Sequence, residues 1–140
     1  MKVKTAVIDT NVLISAALSP KGTPAQVVSF LVEHGRIVFS DETFEAFHSR
    51  LWRPKFDAYI SREMRQSLLR DFSNIAKWTT PEKPLKLCRD ADDDKFLSLA
   101  VSAKVSVLVS GDTDLTVLKN IEGIPIYTPT QCLEIIKNGE

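Results

Sequence analysis

Aspartates are concentrated at three places in this chain, and their chemistry suggests a metal site. Asp9 follows the apolar run "KTAVI", and four aspartates lie within "DADDD" at 90–94. Asp112 and Asp114 lie in "SGDTD", after the apolar run "VSVLV". Oxygen ligands without histidine or cysteine at ligand spacing favour Mg²⁺ or Mn²⁺ over zinc. Such a cation lowers the pKa of a water molecule and holds phosphate oxygens, which points to phosphodiester chemistry.

The predicted elements would bring these acids to one edge of a sheet. Apolar and β-branched runs predict strands at 4–11, 36–40, 105–110 and 123–129. Helical patterns separate these strands, which indicates a parallel sheet covered on both faces. The functional crevice of such folds lies at the carboxyl ends of the strands, where Asp9 and Asp112 are placed.

Composition indicates one globular domain over residues 1–140, since 44% of the residues are hydrophobic and 26% are charged. Basic and acidic residues both number 18, so overall charge gives no argument for nucleic acid or membrane. Cys88 and Cys132 lie far apart and no run is long enough to span a bilayer. We therefore expect reduced thiols, a cytoplasmic location and no membrane partner.

Two of the acidic segments also have a purely structural interpretation. Asp9 can cap the helix that follows it, a role that does not exclude metal binding. "GDTD" on its own is more often a turn than a site. A carboxylate at the end of an apolar strand is nevertheless costly to bury without compensation, which makes Asp9 the strongest single signal.

When residues 90–94 are projected on a helix, their four aspartates fall at different positions around it. Asp93 falls on the apolar face in a row with Phe96, whereas Asp94 lies on the solvent side. Asp90 and Asp92 are expected to cap the helix or to precede it. Asp93 is therefore the acid of the cluster that we expect to have a functional role.

A basic and aromatic stretch follows the second predicted strand. Residues 50–70 carry six arginines and lysines against two acids, a local charge of +4, with Trp52 and Tyr59 interleaved. Such side chains can bind a single-stranded backbone and stack bases, although a solvated helix face is an equally good interpretation. The residues expected to contact nucleic acid are Arg50, Arg53, Lys55, Arg62 and Arg65.

Four ordered motifs resemble a known family. "VIDTNVLISA", "LWRPKF", "RDADDDKFLSLA" and "LVSGDTDL" are similar to motifs of PIN-domain ribonucleases, in particular the toxins of bacterial toxin–antitoxin systems. The resemblance covers nearly the whole chain. It implies an α/β fold, a three-layer α/β/α sandwich with a central, mostly parallel sheet, and Mg²⁺- or Mn²⁺-dependent cleavage of RNA. It also implies an antitoxin protein as partner and a homodimer or higher oligomer.

The resemblance assigns roles to individual residues. Asp9 matches the first acid of the family, Asp93 the acid ahead of "KFLSLA", and Asp112 the acid after the fourth strand. These three are the expected catalytic residues and metal ligands, and Asp114 often joins them as a ligand. Packed like charges should raise the pKa of at least one carboxylate when metal is absent. The polar residues that match positions near the site are Asn11 and Ser40.

One position departs from the family pattern. The pattern places a glutamate between the serine matched by Ser40 and the leucine of "LWRPKF", and both spacings lead to position 46. This chain has Ala46 there, with Glu45 one residue earlier and about 100° around the helix. Either Glu45 substitutes as the catalytic acid through a local shift, or the second acid is missing.

Three functions are compatible with these observations. The leading one is a metal-dependent endoribonuclease. A non-catalytic PIN-like module that binds RNA or a protein is the main alternative, and Ala46 favours it. A phosphoaccepting receiver domain shares the acidic sheet edge, but the chain lacks an adjacent acid pair after the first strand.

Overall fold

A six-stranded sheet forms the centre of the molecule, in a computed structural model that describes residues 2–82 and 91–139. In chain order the strands are β1 (Thr5–Ile8), β2 (Arg36–Phe39), β3 (Lys77–Trp78), β4 (Val107–Val109), β5 (Asn120–Ile121) and β6 (Ile124–Tyr127). Across the sheet they lie in the order β3-β2-β1-β4-β6-β5. Neighbouring strands run parallel except for the β5–β6 pair, which is antiparallel.

Seven α-helices connect and flank the described strands. They are α1 (Thr10–Leu18), α2 (Thr23–His34), α3 (Asp41–Leu51), α4 (Arg62–Ile75), α5 (Asp94–Ala103), α6 (Thr113–Thr116) and α7 (Pro129–Gly139). Short 3₁₀ turns lie at Pro54–Phe56 and Ala91–Asp93. None of these helices combines the length and apolar character needed to cross a bilayer.

Helices cover both faces of the sheet, as β1 shows. Ala6 and Ile8 point into a core that includes side chains of α1, α2, α3, α4 and α7. Val7 points the other way, into a second core with α5 and α6. Successive residues of a strand face opposite sides, so the two cores lie on opposite faces. The predicted three-layer α/β/α sandwich with a mostly parallel sheet is confirmed.

The helical pattern of residues 61–78 predicts a helix that is longer than the one observed. Helix α4 ends at Ile75, and Lys77–Trp78 instead form β3, which pairs with β2. The Trp78 ring lies 5.2 Å from Phe44 and 6.0 Å from Phe39, centroid to centroid, so aromatic packing ends the helical pattern early. The two-residue strand β5 was not predicted either, because so short a strand has no periodicity to detect.

The thiol of Cys132 is buried in the first core and free. Burial raises the pKa of this thiol to about 11, so it stays protonated and unreactive at neutral pH. Two other residues discussed from the sequence, Cys88 and Asp90, lie outside the described residues.

Parallel pairing sets the position of the acids. Ile8 of β1 pairs with Val109 of β4, and Asp9 N donates to Val109 O at 3.0 Å. The residues that follow these two strands, Asp9 and Ser110, therefore leave the sheet side by side at its carboxyl edge.

Gly35 lies between α2 and β2, at a position where the backbone of Lys4 leaves no space for a side chain. A Cβ there would lie 2.6 Å from the backbone oxygen of Lys4, which also accepts a 2.8 Å hydrogen bond from Arg36 N. Gly35→Ala should therefore lower the free energy of unfolding by about 1–3 kcal/mol, measured by urea denaturation. Gly111→Ala is the control, because a Cβ at Gly111 meets nothing within 4 Å. Equal stability of the two variants would contradict the close packing of Gly35 against the Lys4 backbone.

Candidate metal centre

Three aspartates from two segments come together at the carboxyl edge of the sheet. One carboxylate oxygen from each of Asp93, Asp112 and Asp114 lies within 4.8 Å of the others. Asp93 ends the 3₁₀ turn before α5, whereas Asp112 caps α6 and Asp114 lies in its first turn. Asp93 is only 9% exposed, as its position on the apolar helix face predicts, whereas Asp92 is exposed. We call these three residues the acid group.

Asp9 stands beside the acid group and is joined to it by Ser110. The Ser110 hydroxyl donates to Asp9 Oδ2, and its oxygen accepts a hydrogen bond from Asp112 N at 2.9 Å. The other oxygen of Asp9, Oδ1, accepts from Val12 N at 3.0 Å and so caps α1. The carboxylate of Asp9 is thus linked to the acid group through one hydroxyl, but it is not within the 4.8 Å cluster.

The pKa of Asp9 is raised above its usual range. Burial is the main cause, since the residue is only 4% exposed, and the negative charge of Asp112 adds a smaller rise. Hydrogen bonds from Ser110 and from the backbone of Val12 and Asn11 act in the opposite direction. A raised carboxylate pKa was predicted from like charges, but desolvation contributes more than repulsion.

Ser110 is a site residue that sequence reasoning missed. It is fully buried at the end of β4, where its side chain joins the first acid to the third acidic segment. A hydroxyl directly before "GDTD", at the end of a buried strand, was the available signal.

The two polar residues expected near the site differ in what they contact. The backbone N–H of Asn11 donates to the Asp9 carboxylate, and its side-chain oxygen accepts from Arg50 Nη1 at 3.0 Å. Ser40 forms a capping box with Thr43 at the start of α3, with Thr43 N donating to Ser40 Oγ at 3.1 Å. Ser40 therefore has a complete structural explanation.

Helix α3 places Ala46 and Glu45 in different surroundings. Glu45 is exposed, and its Oε1 accepts from Ser49 Oγ at 2.9 Å. Ala46 is half-buried and shares its face with Arg50, which contacts Asn11 of α1. A carboxylate at position 46 would be turned toward the segment that carries Asp9, whereas the Glu45 carboxylate is turned toward solvent.

Most cations of the basic stretch are exposed. Arg53, Lys55 and Arg62 are solvent-exposed, and Arg50 is half-buried. Arg65 is 4% exposed, because its guanidinium pairs with Asp57 at 2.9 Å and lies over Trp52 at 5.3 Å from the ring centre. Arg65 therefore has to be removed from the set predicted to contact nucleic acid, since a buried guanidinium does not reach a phosphate.

The donor set fits a hard cation. The acid group offers only carboxylate oxygens, the ligands preferred by Mg²⁺ and Mn²⁺. Oxygens on opposite sides of Mg²⁺ lie about 4 Å apart, twice the metal–oxygen distance. Carboxylates separated by as much as 4.8 Å would hold the ion after a small contraction or through an intervening water molecule.

Asp9 should destabilise the metal-free fold at neutral pH. Its pKa is raised in the folded state, so stability associated with Asp9 is present at low pH and is lost as the carboxyl ionises. Asp9→Asn keeps an oxygen to cap α1 and should raise the melting temperature in EDTA at pH 7. The gain should shrink as the pH falls toward 3.8, the ordinary aspartate value.

Asp41→Asn, an exposed acid at the start of α3, is the control and should change the melting temperature little. An Asp9→Asn protein that melts below the parent in EDTA would show that hydrogen bonds to the carboxylate outweigh its desolvation.

Comparison with known proteins assigns the family. Residues 5–114 match the family model described as "PIN domain". The chain is 31% identical over 138 residues to the uncharacterised protein MJ1680 of Methanocaldococcus jannaschii, covering 93% of this chain and 88% of that protein. It also superposes on VapBC2 from Rickettsia felis, solved bound to a DNA fragment from its promoter. That match has a TM-score of 0.60 and 14% identity and covers 89% of this chain and 98% of the other. The chain therefore belongs to the PIN domain family.

Proposed function

We propose that this protein is a Mg²⁺- or Mn²⁺-dependent endoribonuclease. The observation that carries the proposal is the acid group, which lies at the carboxyl edge of a mostly parallel sheet beside a buried fourth aspartate. Membership of the PIN domain family supports it, since PIN domains are generally nucleases.

Each acid has a proposed role in the reaction. Asp93, Asp112 and Asp114 would hold the cation, with Asp9, to which the Ser110 hydroxyl donates, as a further ligand. A cation bound there would supply a Lewis acid that activates water and neutralises charge on the phosphate. Of these ligands, Asp9, Asp93 and Asp112 are the proposed catalytic acids, as the family resemblance implies.

The missing acid at position 46 should limit the rate. A carboxylate on this face of α3 would be placed to bind the cation or to accept a proton from the attacking water. Loss of a general base typically costs about 10²–10⁴-fold. Because Glu45 faces solvent, we propose that it does not replace the missing acid and that this chain is a slow nuclease.

The cations of residues 50–62 that are not buried form the proposed RNA-binding surface, which we define as Arg50, Arg53, Lys55 and Arg62. Trp52 adds an aromatic ring, with the guanidinium of Arg62 at 5.9 Å from its centre. Tyr59 follows Trp52 by seven residues, is 76% exposed and offers a second ring. Cations that neutralise the backbone and rings that stack on bases together suit single-stranded RNA.

The biological setting is part of the proposal. The motifs resemble those of toxins from toxin–antitoxin systems, and the chain shares its fold with VapBC2, a complex solved on its promoter DNA. We therefore propose a cytoplasmic toxin of one domain over residues 1–140, neutralised by an antitoxin protein and acting as a homodimer or higher oligomer.

A second candidate function is a non-catalytic PIN-like module that binds RNA or a protein. Ala46 is the observation that favours it, because it removes a carboxylate from the face of α3 that is turned toward α1. The two functions differ in whether RNA is cleaved when Mn²⁺ is added, and in whether an acid at position 46 matters.

Restoring the acid should increase activity. Ala46→Glu is expected to raise Mn²⁺-dependent turnover of a single-stranded RNA by up to about 10²–10⁴-fold. Glu45→Gln, the matched control one residue away, should leave turnover unchanged. If the parent is already fast, Glu45→Gln abolishes cleavage and Ala46→Glu has no effect, then Glu45 is the working acid and the assignment of position 46 is wrong.

The RNA-binding surface can be tested separately from cleavage. Replacing Arg53 and Lys55 with glutamine should weaken RNA binding and flatten its salt dependence by about 1.4 in the log–log slope, about 0.7 for each lost phosphate contact. Arg36→Gln is the control, because this exposed cation starts β2 at the opposite edge of the sheet. An unchanged affinity and slope in the double variant would mean that the stretch is only a solvated surface.

A further inference from the structure

Arg50 lies near the end of α3 and contacts the first turn of α1. It follows Ala46 by four residues, about 400° of helical rotation, so both share one face of α3. Its Nη1 donates to Asn11 Oδ1 at 3.0 Å. This hydrogen bond fixes the guanidinium against the first turn of α1, the helix that Asp9 caps.

Asn11 connects Arg50 to the carboxylates at short range. The backbone N–H of Asn11 donates to Asp9, while its side-chain oxygen receives Arg50. One asparagine and two hydrogen bonds thus separate the guanidinium from Asp9. Ser110 continues the chain of contacts to Asp112.

We propose that Arg50 binds a phosphate of the RNA substrate at the acid group and that Asn11 is the positioning residue that holds its guanidinium there. The inference rests on the proposed nuclease function and names the residue that places the substrate backbone at the acids. It separates Arg50, which contacts Asn11 beside Asp9, from the other cations of the RNA-binding surface.

The guanidinium has donors left for a phosphate. Arginine has five N–H donors, and the contact with Asn11 uses one. The ion pairs of residues 2–82 and 91–139 do not include Arg50, and Ala46 removes the carboxylate that would pair with it one turn earlier. Two parallel N–H donors match two oxygens of one phosphate, which lysine does not reproduce.

Arg65 shows what a purely structural arginine looks like in this chain. Its guanidinium is buried, paired with Asp57 and stacked on Trp52. Arg50 has neither a carboxylate partner in the described ion pairs nor a ring contact, and its anchor is a neutral side-chain oxygen. A neutral anchor orients a cation without neutralising it, so its charge stays available to an anion.

The test measures the binding of a short single-stranded RNA in the presence of Ca²⁺, a hard cation that takes oxygen ligands. A gel checks that the RNA stays intact. Arg50→Gln should lower the RNA affinity by about 10-fold or more. Arg50→Lys should lie between this variant and the parent protein. Arg53→Gln, the matched control, should lower affinity by about threefold or less. Asn11→Ala should weaken binding by about threefold with Arg50 present and cause no further loss in Arg50→Gln.

Coupling to the acid group gives a readout that a surface charge would not produce. In a double-mutant cycle, Arg50→Gln and Asp112→Asn should be non-additive in RNA affinity, whereas Arg53→Gln and Asp112→Asn should be additive. Equal losses for Arg50→Gln and Arg53→Gln, with additivity in both cycles, would overturn the role of Arg50 and leave the proposed function intact. A parent protein that binds no RNA in Ca²⁺ would overturn both.

Discussion

The parallel pairing of β1 with β4 is the constraint on which the site depends. It aligns Ile8 with Val109, so that Asp9 and Ser110 leave the sheet together, and Ser110 then holds both Asp9 and the backbone of Asp112. A shift of the pairing by one residue would turn every side chain of the shifted strand to the opposite face and break this link. The core residues of both strands therefore serve the site as well as the fold.

Burial of Asp9 opposes the stability of the metal-free fold. The carboxylate is desolvated and lies near the charge of Asp112, and its hydrogen bonds compensate this only in part, as its raised pKa shows. A divalent cation would favour the ionised form, because opposite charge lowers a carboxylate pKa. The same arrangement that weakens the metal-free fold would thus favour cation binding, a common relation between stability and activity.

Much of this arrangement could be predicted from the sequence. Alternating strands and helices predict the layers, and Asp93 on an apolar helix face predicts its burial. Three features depend on contacts between distant segments and have no local pattern. These are the two-residue strand β3, which Trp78 anchors through aromatic packing, the bridging role of Ser110, and the burial of Arg65 against Trp52 and Asp57. For Arg65, charge alone indicated a surface residue.

The central claim is that the acids at the carboxyl edge of the sheet bind one divalent cation. Crystals of the unmodified chain soaked in Mn²⁺ would test it most directly, through the anomalous scattering of the metal. We expect one strong peak in contact with Asp93, Asp112 and Asp114 and within reach of Asp9, directly or through water. Absence of a peak at these carboxylates at saturating Mn²⁺, or a peak bound elsewhere, would contradict it.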